Sequence, residues 1–288
     1  MWLADRWSDY ELIDSADGEK LERWGNVILR RPDPLAVWKD KDSDMWNKAH
    51  ARYHRSNTGG GHWEYKKKFP QHWSIGFEDL TFQIKPMNFK HTGLFPEQAA
   101  NWRWFSKLIR KSEHPIRVLN LFAYTGGATV AGLAAGASVT HVDAAKGMVN
   151  WAKENVVASG LEEKGVRYIV DDVLKFVLRE GRRGKTYDAV IMDPPSYGRG
   201  PSGEVWKIEN ELYGLVEECV KIMSDEPLFF LINSYTTGLS ASVLKNILSL
   251  TMGRKYGGMI EADELGIPMS AKKGLALPCG ISGRWQAE

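Results

Sequence analysis

Cysteine is nearly missing from this chain: two in 288 residues, Cys219 and Cys279, far apart in sequence. They make no metal-ligand spacing, so no metal is expected, and the chain reads as a reduced, cytoplasmic protein. Charge of one sign is not in excess either. Lys and Arg number 38 against 36 Asp and Glu, a net +2, so any nucleic-acid surface has to be a local patch. No apolar run is long enough to span a bilayer, so no membrane partner is expected. The N-terminal residues reach Asp5 and Asp9 without an apolar core, which excludes a signal peptide there. The pattern G-x-x-x-x-G-K-[ST] is absent, and so is the three-glycine dinucleotide fingerprint, which argues against an ATP-binding P-loop and against a standard dinucleotide fold.

What is present is an ordinary globular composition, 43% hydrophobic and 26% charged. The length is ample for one large core plus a smaller domain. Of the 12 tryptophans, most precede Pro115. This shift divides the chain into a small Trp-rich, β-rich region, 1–85, and a larger one, 86–288. In the first, Val27 to Arg30, Trp73 to Phe77 and Leu80 to Ile84 read as strands, the last two around Glu78-Asp79. His62-Trp63-Glu64-Tyr65-Lys66-Lys67-Lys68-Phe69 interleaves cations with rings. Such a stretch suits a phosphate backbone with stacked bases, or simply a solvated hairpin.

The larger region is organised around Val118-Leu119-Asn120-Leu121-Phe122-Ala123-Tyr124-Thr125-Gly126-Gly127-Ala128-Thr129. Ile116 to Phe122 is an apolar run bounded by Pro115, a buried strand. Thr125-Gly126-Gly127 ends it, and Ala128 to Gly136 reads as a helix. Upstream, Pro96 starts a helix whose apolar residues Ala99, Trp102, Phe105, Leu108 and Ile109 recur at helical spacing. Downstream, strands at Ser138 to Asp143, Val166 to Val170, Tyr187 to Met192 and Leu228 to Ile232 alternate with helices. Two weaker strands, near Gly258 to Ala262 and Gly274 to Leu277, close the chain. The pattern predicts an α/β fold: a Rossmann-like, seven-stranded, mostly parallel sheet with helices on both faces, plus the small N-terminal β-rich region.

In such a sheet ligands bind beyond the carboxyl ends of the strands. Those ends carry Asn120, Asp143, Asp171-Asp172, Asp193 and Asn233, and no Lys or Arg. Asp143 follows Gly126 at close to the ~20-residue offset at which an acidic residue takes ribose hydroxyls. Asp172 stands where an adenine edge would lie. A ligand with a ribose, an adenine and no phosphates is S-adenosylmethionine.

Four motifs then carry a resemblance: Asn120 to Gly127; Val142-Asp143 before Trp151-Ala152-Lys153-Glu154-Asn155; Asp171-Asp172-Val173; and Asp193-Pro194-Pro195-Ser196. From about Phe89 onward the chain resembles class I S-adenosylmethionine-dependent methyltransferases (EC 2.1.1.-), most closely the branch that includes large-subunit ribosomal RNA base methyltransferases. The resemblance implies that Phe122, Ala123, Tyr124, Thr125, Gly126 and Gly127, with Asn120, hold the methionine part of the donor. It implies Asp143 on the ribose with Ala144 beside the adenine, and Asp172 on the adenine amine with Val173 against the ring. Thr92 to Gln98 is similar to a segment lying over the donor, which brings in Phe95 and Gln98. Relatives often carry Asp-x-Arg in that segment, where this chain has Glu97 and Ala99. Many relatives also begin with a PUA domain, which residues 1–85 do not visibly match.

Asp193, Pro194, Pro195 and Tyr197 are the implied catalytic residues at the transferring methyl group. A nitrogen acceptor suits them: Asp193 with the Pro194 carbonyl takes hydrogen bonds from an amine, and Tyr197 stacks on a flat ring. Cytosine C5 chemistry needs a thiolate, and neither cysteine follows the fourth or fifth strand. Arg199 and Lys207 are further candidates for phosphate contacts; Arg182 and Arg183 join them or, as the favoured reading, form a solvated turn. The expected function is methylation of a base of RNA, with ribosomal RNA favoured. The alternatives are a small-molecule or protein nitrogen as acceptor, or a non-catalytic donor-binding module. A homodimer through the Trp-rich region stays open.

Overall fold

The computed structural model describes residues 1–56, 60–199 and 205–288, and the chain divides into two units. One holds Trp2–Ala100 and Leu265–Cys279; the other holds Asn101–Glu264 and Gly280–Glu288 with Met1.

The first unit is built on β-strands. β1 (Trp2–Leu3) pairs in parallel with Leu265 and Gly266. β2 (Tyr10–Ala16), β3 (Glu19–Trp24), β4 (Val27–Pro32), β5 (Ala51–Arg55) and β6 (Gly61–Tyr65) form one sheet in that order, antiparallel except between β4 and β5. Asp17-Gly18 joins β2 to β3 with both residues at positive φ (54° and 74°), the chemistry that a tight two-residue hairpin demands. β7 (Trp73–Phe77) and β8 (Leu80–Ile84) form a separate hairpin around Glu78-Asp79, at the residues read as strands from the sequence. The unit buries charge in pairs. Arg31 donates to both carboxylate oxygens of Glu22 at 2.6 and 2.7 Å, and Tyr10 donates to the same carboxylate at 2.9 Å. Lys272 pairs with Asp14, which also accepts from the Trp46 indole at 2.8 Å.

In the second unit, α1 (Ala99–Lys111) leads to the central strand β9 (Arg117–Leu121). Then follow α2 (Gly127–Ala134), β10 (Ser138–Asp143), α3 (Lys146–Ala158), β11 (Val166–Val170), α4 (Val173–Arg182) and β12 (Ala189–Met192). A short ribbon, β13 (Tyr197–Arg199) with β14 (Val205–Lys207), precedes α5 (Ile208–Lys221), β15 (Phe229–Ser234) and α6 (Ala241–Leu248). β16 (Met259–Pro268) and β17 (Ala276–Gln286) close the chain, each much longer than the weak strand read from the sequence. The strands pair in the order β1-β16-β17-β15-β12-β9-β10-β11, eight where the sequence pattern predicts seven. β11, β10, β9, β12 and β15 run parallel, and β17 is antiparallel to β15.

Strands β9, β12 and β15 are buried along almost their whole length, because helices cover both faces of a parallel sheet. One core cluster gathers Leu119, Leu121, Val190, Met192, Phe230 and Ile232 from these strands with Phe176, Leu212, Val216 and Leu244 from helices. The strand order turns back between β9, which leads to β10, and β12, which leads to β15. That reversal opens a crevice at the carboxyl edge, where such sheets hold ligands.

Candidate active site

The loop after β9 is the most constrained stretch of the edge. Phe122 and Tyr124 both adopt positive φ (53° and 50°), on either side of Ala123. Left-handed backbone at non-glycine residues costs about 1–3 kcal/mol each and persists only where the surroundings hold it. The surroundings are visible. Ala123 donates its N–H to the Val142 carbonyl at 3.0 Å, Tyr124 donates to Asp143 Oδ2 at 2.8 Å, and Asn155 Nδ2 donates to the Thr125 carbonyl at 2.8 Å. The two glycines are needed beneath the loop. A Cβ on Gly126 (φ 82°) would stand 2.8 Å from the Ala152 Cβ, and one on Gly127 would stand 2.7 Å from the Trp102 ring.

Asp143, at the end of β10, accepts from Tyr124 and, through Oδ1, from Ala145 N–H at 2.8 Å. Burial raises its pKa, and these two N–H groups pull the other way without cancelling it. Each carboxylate oxygen has a second lone pair, so the group can still accept from a ligand. Ala144 beside it is exposed. At the end of β11, Asp172 caps α4 by accepting from Lys175 N–H at 2.9 Å through Oδ1. Val173 is buried in the core cluster. Asn120 lies under the loop rather than in it: it is 3% exposed and donates to Thr129 Oγ1 at 2.9 Å. Thr129 in turn meets His141 Nδ1 at 2.9 Å. Burial pushes the His141 pKa down to about 4, so its ring is neutral, and its Nε2 has no partner among the described residues.

Across the crevice, Asp193 follows β12. Asn233 Nδ2 donates to its Oδ1 at 2.9 Å. Pro194 is buried, and Pro195 accepts from the Trp206 indole at 2.6 Å. The Trp206 ring also lies 5.4 Å from Phe122, so the ribbon strand β14 touches the loop after β9. Ser196 and Thr236 hydroxyls are 2.7 Å apart. Tyr197, half exposed, opens β13 opposite Lys207. The side chain of Arg199 lies outside the described residues. Phe95 and Gln98 fall in the other unit, at the 3₁₀ turn Pro96–Gln98, where Phe95 accepts from Gln98 N–H at 3.1 Å and packs 5.3 Å from His91.

Trp206, Thr236 and His141 were not singled out from the sequence, and Thr129 entered only as the last residue of the organising stretch. Their only signal there is a position a few residues from a strand end. In the β-rich unit, the cation and ring stretch lines a cavity of about 800 Å³ with Tyr65, Lys66, Lys67, Lys68, Phe69 and Lys85.

Neither cysteine is a ready thiolate. Cys219 is buried in the core cluster, and burial drives both its pKa and that of Cys279 well above the ordinary thiol value. No helix among the described residues is long and apolar enough to cross a membrane.

Fold order, strand-end carboxylates and the strained loop define a class I donor-binding α/β unit. The S-adenosylmethionine-dependent methyltransferase family model matches residues 48–212, and the chain belongs to that family. It is 37% identical to the S-adenosylmethionine-dependent methyltransferase from Agrobacterium tumefaciens, whose crystal structure superposes with a TM-score of 0.92 over 98% of this chain and 91% of that one. SMU.776, solved in complex with SAH, shares the fold at 19% identity and a TM-score of 0.75, covering 97% of this chain and 76% of that one. Among curated proteins, the chain is 26% identical over 231 residues to the ribosomal RNA large subunit methyltransferase K/L of Shewanella frigidimarina, covering 76% of this chain and 30% of that protein. It is also 26% identical over 170 residues to the ribosomal RNA large subunit methyltransferase K of Neisseria meningitidis, covering 58% of this chain and 46% of that protein. The chain spans less than half the length of these two curated relatives.

Proposed function

We propose that this methyltransferase acts on a nitrogen of an RNA base, with ribosomal RNA as the favoured target, and that it works in the cytoplasm. In this reading residues 86–288 carry the reaction and residues 1–85 help to hold the RNA. The observation that carries the RNA reading is the four-lysine cavity with Tyr65 and Phe69 at its wall. Lysines there can neutralise phosphates while a ring stacks on a base. The curated relatives, named for ribosomal RNA, support the same direction.

The residues present fit the donor. Asp143 offers acceptor capacity to ribose hydroxyls, Asp172 and Val173 frame the adenine, and the loop from Phe122 to Gly127, with Asn120 beneath it, shapes the methionine end. Ala144 completes the proposed contacts within this unit. No Lys or Arg stands at the strand ends, which suits a ligand without phosphates. Bound S-adenosylmethionine supplies an electrophilic methyl carbon. The chain's own part is alignment and exclusion of water. Asp193 and the Pro194 carbonyl accept from the acceptor nitrogen's N–H groups and aim its lone pair, while Tyr197 stacks on the base. With Cys219 buried, Cys279 half-buried and both thiols held above the ordinary pKa, covalent addition to a pyrimidine ring lacks a ready thiolate, which favours nitrogen over cytosine C5.

The test is transfer of labelled methyl to total RNA from cells lacking this chain, followed by nucleoside analysis. A labelled N-methyl base is expected. Label at cytosine C5 would refute the nitrogen assignment. Absence of label from RNA, beside clear donor binding, would move the reading to a small-molecule or protein nitrogen.

A further inference from the structure

A file of five polar side chains crosses the α/β unit and ends at Asp193. Arg284 donates from Nε and Nη2 to Asn101 Oδ1 at 3.0 and 2.7 Å. Asn101 Nδ2 donates to Ser282 Oγ at 3.0 Å. Ser282 donates to Asn233 Oδ1 at 2.8 Å, and Asn233 Nδ2 donates to Asp193 Oδ1 at 2.9 Å. Asn101 and Ser282 are fully buried, Asn233 is 2% exposed and Arg284 is 6% exposed.

Sheet geometry makes the file possible. Ser282 and Arg284 are two apart on β17, so they share a face. Ser282 stands directly opposite Asn233 on β15. Met192 pairs with Ile232, so Asp193 and Asn233 are the next residues along β12 and β15.

The sense of the file is forced. A guanidinium has donors and no acceptor, so Asn101 must turn its oxygen to Arg284 and its amide nitrogen to Ser282. Ser282 then has one hydrogen to give, and it goes to the Asn233 oxygen. That leaves the Asn233 nitrogen for Asp193. Turning either amide over would set donor against donor or acceptor against acceptor in a buried site. Burial lowers the Arg284 pKa to about 9, against the pull of Glu261 and Asp263, and the group remains a cation at neutral pH. Its guanidinium also lies 5.1 Å from the Trp104 ring centre. An apolar row would seal this part of the core as well or better, so stability alone does not call for a polar file whose last donor meets a carboxylate at the edge.

We propose that Asn101, Ser282 and Arg284, acting through Asn233, are positioning residues that fix the plane of the Asp193 carboxylate. This rests on the reading that Asp193 faces the methyl acceptor. Arg284 sets the direction, each amide and hydroxyl transmits it, and the Asp193 carboxylate is held in one rotamer as the acceptor arrives.

The test compares Ser282→Ala, Ser282→Thr, Asp193→Ala and the Asp193→Ala/Ser282→Ala double variant of the full chain. RNA from cells lacking the chain is the substrate, with donor affinity by calorimetry and thermal unfolding alongside. Ser282→Ala should lower kcat about tenfold, the effect of one hydrogen bond. Its KM for RNA and its donor affinity should hold within about twofold, and Ser282→Thr, which keeps the hydroxyl, should recover most of the rate. The double variant should be no slower than Asp193→Ala alone, because Ser282 acts only through Asp193. Normal turnover in Asp193→Ala would overturn the Asp193 reading and the relay with it. Slow Asp193→Ala beside normal Ser282→Ala would overturn the relay alone, as would a double variant slower than Asp193→Ala. A crystal structure of Ser282→Ala reads the same link without turnover, whatever the acceptor proves to be. The Asn233 amide should turn and leave hydrogen-bonding distance of Asp193, and an unchanged contact would overturn the proposal.

Discussion

Burial pushes up the pKa of two carboxylates, one in each unit, yet their neighbours leave them shifted in opposite directions. Glu22, in the β-rich unit, is buried; burial alone would raise its pKa, but Arg31 and then Lys20 hold it below the ordinary value. Asp143, at the edge of the parallel sheet, accepts from backbone N–H groups among the described residues, and burial raises its pKa. A carboxylate buried with cations belongs to the framework, because its charge is already answered. One that accepts from N–H groups keeps acceptor capacity, which is what the proposed ribose contact of Asp143 requires.

The largest expected effect tests the framework half of that contrast. Glu22→Ala strands Arg31 in the core and should cost about 3–5 kcal/mol in urea unfolding. Because the folded-state pKa of Glu22 is depressed, its contribution is present above the unfolded carboxylate pKa and is lost as pH falls through the folded one. The parent's unfolding free energy should therefore decline with acid more steeply than the variant's. Asp143→Ala tests the other half. It should weaken donor binding by about 1–3 kcal/mol by calorimetry; the variant also frees the Tyr124 and Ala145 N–H groups, so unfolding is followed alongside, and unchanged affinity would remove Asp143 from the ribose. In the parent, donor affinity should fall as pH drops from neutrality into the acid range, because a raised carboxyl pKa gives a neutral group sooner.

Gly127→Ala asks whether the strained loop depends on close packing beneath it. The added methyl meets Trp102 at 2.7 Å, and a loss of about 1–3 kcal/mol in thermal unfolding is expected. The smallest effect belongs to the lysine cavity. Lys67→Ala should weaken RNA binding modestly and reduce the slope of log affinity against log salt by about 0.7, one single-strand phosphate contact. Donor affinity should not move. An unchanged salt slope would take Lys67 out of the RNA surface.

The α/β half was legible because its signals are local. Apolar runs bounded by turn residues, alternating with helical periodicity, marked β9, β10, β11, β12 and β15 within a few residues. Most of the β-rich sheet was not. Strands such as Glu19–Trp24 and Ala51–Arg55 carry Glu22, Arg23, Arg52 and His54, and their polarity hides the alternation until pairing supplies ion partners such as Arg31 for Glu22. The closing strands also read short, because Glu261, Asp263 and Arg284 interrupt their apolar pattern.

The sequence by itself determined the strand–loop–helix units, the order of the strand-end carboxylates and the absence of cationic strand ends, because each depends on residues adjacent in the chain. Tertiary structure alone decided that Asn120 lies under the loop and Trp206 touches Phe122. It alone decided that Asp193 ends a file begun at Arg284. Those facts join residues far apart in sequence, and only the register between strands and the packing of helices on the sheet brings them within hydrogen-bonding reach.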